Sequence, residues 1–409
     1  MPTPEPARAQ PSSTPPAGGP PRLSTRSVHA LRAVGALLVV LAHLTGPTGF
    51  EGKVFTEGPR VWDEVRTLVT GIGVDVFFTL SGFFMVLTAA GPRLGRSPVR
   101  RTLWRRLVKV LPLYWLATTG VLAITLVAPG AVNGSQEHPP NVLASYLLLP
   151  QEGLPLLLVG WTLTHIVVFY GVFCLGLLTG TTRGLWAVLG AWSGFVATLY
   201  VVLHVVPEGT GGPVLQFLGN PLNLEFVLGA AVAHGLLAGL RRGTAALTAG
   251  VLLLVTLLTL RVLHVPGTTS SEYRLLGVTT AVCLVLHGVV ALEQTRRWST
   301  PRALMAVATP SYSLYLVHVP LIGALAVVAS RLHPPTAPAA RVAVVLAALV
   351  LCVLAAQLVH RYVERPLAAA FEGTCWSLPR DWLAGFRRPV AVDVRNPATE
   401  AVAAQRAGG

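Results

Sequence analysis

From residue 28 onward the chain alternates between apolar runs of about 20 residues and short polar connections that carry most of its cations. An apolar run near 20 residues is the length a helix needs to cross a ~30 Å hydrocarbon core at about 1.5 Å per residue. Ten runs fit: 28–47, 67–90, 110–129, 154–179, 184–206, 214–239, 244–264, 274–292, 303–330 and 340–362. The pattern predicts an all-α polytopic membrane protein with about ten transmembrane helices. It is flanked by a tail of eight prolines at 1–27 and a basic tail at 368–409, and the membrane domain spans 28–367.

Composition agrees: of 409 residues 53% are hydrophobic and 12% charged, with mean hydropathy +0.63, which excludes a soluble enzyme. A net charge of +14 on a soluble domain would suggest nucleic acid, but here the cations sit in short loops, so the partner expected is the bilayer and no nucleic acid. One alternate set of segments holds 23 Lys and Arg and the other seven. Cations beside a span resist translocation, so both termini are expected in the cytoplasm, in a multi-pass protein of the cell (plasma) membrane. Four cysteines form no C-x-x-C pair and three lie in apolar runs, so neither a disulfide framework nor a metal site is expected. No P-loop or G-x-G-x-x-G opens a helix. No internal duplication is visible, which weakens a transporter reading.

Charges in hydrocarbon cost from about 2.5 kcal/mol each upward, so ionisable groups inside spans are the first place to look for chemistry. Asp75, Glu225, Arg32 and several histidines, His43, His165 and His318 among them, stand there. Each could equally tie helices together by a hydrogen bond. Arg32 and His43 are 11 residues apart, about 16 Å along a helix and on nearly the same face. A neutral imidazole can take a proton from an alcohol as it attacks a carbonyl, so this face suits general-base acyl transfer. At the mouth of the third span, seven cations lie in the 17 residues from Arg93 to Lys109. Arg101, Arg105 and Lys109 repeat every four residues with Arg106 beside them. Anchoring explains part of this, and the excess suits the phosphates of a coenzyme A thioester.

At these residues the sequence resembles the acyltransferase 3 family of integral membrane O-acyltransferases, especially its exopolysaccharide acetyltransferase branch. The likeness rests on the Arg32-x10-His43 pair, Gly73-Val74-Asp75-Val76-Phe77-Phe78-Thr79-Leu80-Ser81-Gly82-Phe83, and the basic helix running into Pro112-Leu113-Tyr114-Trp115. Asn220-Pro221-Leu222-Asn223-Leu224-Glu225-Phe226, Ser311 to Pro320, and Val363-Glu364-Arg365-Pro366-Leu367 complete it in family order. In the segment Trp161 to Tyr170, Ile166 stands where the branch carries glutamate, and His165 beside it is turned about 100° away.

The resemblance implies an O-acyltransferase that uses acyl-CoA, most simply acetyl-CoA, as a donor substrate, with no permanently bound cofactor. Its acceptor would be a carbohydrate hydroxyl, as on an exopolysaccharide or its lipid-linked precursor. Acylation of a small-molecule natural product, or a transporter or flippase of lipid-linked saccharide, are the alternatives. It assigns His43 and Arg32 to catalysis. Arg101, Arg105, Arg106 and Lys109 fall to the donor, with Asp75, Glu225, His318, His165 and Tyr170 as further site residues.

Overall fold

The computed structural model describes residues 26–56, 62–89, 99–128, 139–206, 211–295 and 301–374, except the side chains at 89, 100, 101, 302 and 372–374. The proline-rich tail to residue 25, Arg93, Arg96 and the tail from Cys375 therefore lie outside the described residues.

The described residues hold helices and no strands. They are α1 (Arg26–Leu44), α2 (Phe50–Val54), α3 (Asp63–Val69), α4 (Ile72–Ala89), α5 (Val99–Val127), α6 (Val142–Leu147), α7 (Gly160–Leu178) and α8 (Thr182–Val205). They continue with α9 (Gly212–Leu218), α10 (Leu222–Leu237), α11 (Gly243–Val262), α12 (Thr280–Gln294), α13 (Arg302–Ala308), α14 (Ser311–Arg331), α15 (Pro338–Val359) and α16 (Arg365–Thr374). Wider π-helical turns at Tyr273–Thr279 and His360–Glu364 lead into α12 and α16. Among the described residues nine helical stretches are long and apolar enough to cross a membrane.

The predicted run 214–239 is the exception. It breaks between α9 and α10, because Pro221 has no N–H and restricts the residue before it, while the Asn220 side chain accepts from the Leu222 N–H at 3.0 Å. The 16 residues of α10 span only about 24 Å. The run 303–330 breaks in the same way at Pro310, between α13 and α14.

Without water to drive association, packing in lipid depends on close backbone approach. Helices α4 and α10 meet through reciprocal glycines. A Cβ added at Gly82 would lie 1.8 Å from the Phe226 carbonyl oxygen, and one at Gly229 would lie 1.8 Å from that of Thr79. Gly73 seats α4 on α1 in the same manner, against the Gly35 carbonyl and the Val39 N–H. The core that results runs through Phe78, Phe83, Phe169, Phe173 and Phe226, with Phe226 stacked between Phe78 and Phe169 at 4.5 and 4.7 Å. The N-terminus of α1 is capped from another helix, since the Ser27 N–H donates to Glu293 at 3.0 Å.

Candidate active site

A cavity of about 780 Å³ opens among α1, α4, α5, α7, α14 and the turn that leads into α16. Helix α5 supplies Arg106 and Lys109, the C-terminal turn supplies Arg361, Glu364 and Arg365, and α1 supplies His29 and Arg32 one turn apart. Further in, Phe77, Phe78, Leu163 and Ile166 make an apolar wall, with Thr162, Tyr170, Tyr312 and Tyr315 as its polar points. One end is thus cationic and the other mostly apolar.

Arg32 is held by the break at Pro310. The Ala308 carbonyl accepts from Arg32 Nη2 at 2.7 Å, while Arg32 Nε has no acceptor among the described residues. A guanidinium in a cavity wall with an unspent N–H is a ready donor to an incoming carbonyl or phosphate oxygen. Glu364 is the acid that acts on it through space, and that carboxylate also accepts from Ser313 and meets His360 Nδ1 at 2.8 Å.

The cavity takes only part of the basic helix. Lys109 and Arg106 line it, the latter anchored to the Phe84 carbonyl at 2.8 Å. Arg105, turned 100° from Arg106, is exposed and does not line the cavity, so the four-residue stripe does not act as one unit. The Arg101 side chain lies outside the described residues. We expect Lys109→Gln to raise the KM for acyl-CoA roughly fivefold, the effect of about 1 kcal/mol for a partly solvated charge pair. Arg105→Gln should leave it unchanged in the same steady-state assay.

His43 does not line this cavity. Its Nδ1 bonds the Val39 carbonyl at 2.9 Å, so Nδ1 carries the hydrogen and Nε2 the lone pair of a neutral ring. The ring lies edge-to-face with His318, centroids 5.0 Å apart. His318 is 0% exposed, bonds the Leu314 carbonyl at 3.0 Å, and its Nε2 has no partner among the described residues. Tyr315, its ring 6.0 Å from that of His318, belongs to the cavity wall, where it packs on Phe77 at 5.3 Å. His318 thus lies beside the Tyr315 ring of the cavity wall, and His43 lies beside His318. Arg32 and His43 share a helix face, as their spacing predicts, but of the two only Arg32 lines the cavity.

The remaining sequence candidates sit elsewhere. Asp75 and Glu225 are buried together between α4 and α10 with Arg274, Asp75 paired to that arginine and Glu225 accepting from Thr279 at 2.9 Å. His165 bonds Asn223 at 2.8 Å and stacks on Phe217 at 4.1 Å, which ties α7 to the α9–α10 break. Tyr170 and Ile166 both line the cavity. Ser81 lines it too, its hydroxyl bonded to the Phe77 carbonyl at 2.8 Å. Sequence reasoning passed over His29, Arg361 and Arg274. His29 could have been found as the residue one turn before Arg32, and Arg361 from its four-residue spacing to Arg365. Arg274 reads as a loop cation until the fold brings it to Asp75.

The model of an acyltransferase domain matches residues 25–357, most of the chain. The chain belongs to the acyltransferase 3 family. Like others of the family it is an O-acyltransferase, here carried on a multi-pass membrane fold. This acyltransferase is 32% identical over 306 residues to the exopolysaccharide production protein ExoZ of Rhizobium meliloti (strain 1021), an alignment that covers 72% of the present chain and 88% of that relative. No solved structure matches it.

Proposed function

We propose that the protein transfers an acyl group, acetyl in the first place, from acyl-CoA to a carbohydrate hydroxyl during exopolysaccharide production. The observation that carries this reading is the cavity itself, with Arg106, Lys109, Arg361 and Arg365 at one end and Arg32 further in. Multiple cations converging on a cavity of about 780 Å³ suit the phosphates of coenzyme A, and the apolar wall beyond them suits the pantetheine arm and acyl end. The loops that carry these cations belong to the cation-rich set, so the donor enters from the cytoplasm. The exopolysaccharide role borrowed from the ExoZ relative supports a sugar acceptor.

In the reaction the acceptor hydroxyl loses its proton to His43 Nε2 and its oxygen attacks the thioester carbonyl carbon. The carbon–sulfur bond then breaks and coenzyme A leaves as a thiolate that takes up a proton. Arg32, in the cavity wall, fixes the pantetheine arm of the donor or polarises its thioester. Because His43 does not line the cavity, the acyl end must move beyond its present wall to meet the acceptor at that base. The test is purified protein in nanodiscs with acetyl-CoA and an exopolysaccharide repeat-unit acceptor. The expected result is acceptor-dependent release of free thiol with the mass of one acetyl group gained by the glycan. Movement of a lipid-linked saccharide with no covalent change would overturn the proposal.

A further inference from the structure

The acidic pair outside the cavity has more to say. Asp75 is 1% and Glu225 0% exposed, and they face each other across the tight α4–α10 contact. Asp75 Oδ1 is taken by Arg274 and Glu225 Oε1 by the Thr279 hydroxyl. The second oxygens, Asp75 Oδ2 and Glu225 Oε2, have no donor among the described residues, yet the two carboxyls lie within hydrogen-bond reach of each other. Two ionised carboxylates are both acceptors only and cannot bond.

We infer that Asp75 and Glu225 bind a single proton between Oδ2 and Oε2, forming a carboxyl–carboxylate pair clamped by Arg274. One proton satisfies both orphan oxygens at once. It also leaves the pair with one negative charge against one guanidinium, so the buried triad is neutral, as a site in hydrocarbon has to be. Arg261 acts on Asp75 only through space, from a half-exposed position where its Nη1 donates to the Thr70 carbonyl at 2.9 Å, so the cation in contact with the pair is Arg274. A second cavity of about 70 Å³, bordered by Asn220, Ser271, Glu225 and Arg274 at the break before α10, gives the proton a polar route to the site. The site is independent of the acyl-transfer reading, but it bears on the cavity. Asp75 sits on α4 between Val74 and Phe77, which line the large cavity, so the shared proton pins that wall to α10.

The infrared spectrum of the folded, full-length protein should contain a protonated-carboxyl C=O stretch that moves in D2O and vanishes in E225Q. E225Q should melt with the wild type, because an amide N–H can donate to Asp75 where the shared hydrogen stood. E225A and D75N should melt several degrees lower, the first leaving Asp75 Oδ2 without a donor and the second leaving Arg274 without its anion. Absence of the band in the wild type overturns the inference without need of any variant. So does a wild-type melting temperature that rises in sodium chloride over choline chloride when that of E225Q does not, which would mark a metal cation site.

Discussion

Replacing His43 by alanine lowers acyl transfer by about 10²- to 10⁴-fold, the range for loss of a general base. The physical case is the tautomer. The Val39 carbonyl takes the Nδ1 hydrogen, which leaves Nε2 as the lone-pair atom. His43 is not part of the tightest packing, so the variant should keep the wild-type melting temperature, and the loss should fall on kcat while the KM for acyl-CoA stays put. Arg32→Ala should instead affect both constants, because Arg32 lines the donor cavity and His43 does not. Steady-state kinetics on both variants, with thiol release as readout, check the pair. Wild-type-like transfer in His43→Ala would remove the histidine from the mechanism.

The second large effect is on stability. Gly229→Ala should cost about 3 kcal/mol or more, the upper range for an overpacked core, because its Cβ would stand 1.8 Å from a backbone carbonyl that no rotamer change can move. The Thr79 carbonyl it meets lies on α4, so relief means parting α4 from α10, and with them the Asp75–Glu225 pair and the cavity wall. Gly171→Ala is the matched control, since nothing stands within 4 Å of a Cβ there and the change should be neutral or mildly stabilising. Thermal unfolding in detergent, read by tryptophan fluorescence and by the fraction that elutes folded, separates the two.

Much of the protein is legible before any coordinates. Apolar runs near 20 residues give the membrane helices because length against bilayer thickness is a one-dimensional matter. Two of the places where a run and a helix disagree, at Pro221 and Pro310, are also written in the chain, as prolines that cannot donate. They are easily overlooked, because hydropathy does not register a missing N–H. The second break matters to the site, since it frees the Ala308 carbonyl that holds Arg32.

Site membership is another matter. Helical spacing correctly puts Arg32 and His43 on one face, but a face about 16 Å long reaches beyond one compartment, and of the two only Arg32 lines the cavity. Spacing likewise groups Arg101, Arg105 and Lys109, while the cavity selects Arg106 and Lys109 with Arg361 and Arg365 from more than 250 positions away. Asp75 and Glu225 are conspicuous in the sequence as lone acids in apolar runs, but their shared partner Arg274 is disguised as a loop cation.

By itself, then, the sequence determined the class of molecule, the helices and the family, since each depends on local composition and short motifs along one chain. The tertiary structure alone decided which cations converge, that the cavity takes Arg32 and not His43, and where two carboxyls meet a guanidinium. Those are contacts between distant segments, set by how closely glycine-faced helices can approach in lipid, and no spacing along one helix encodes them.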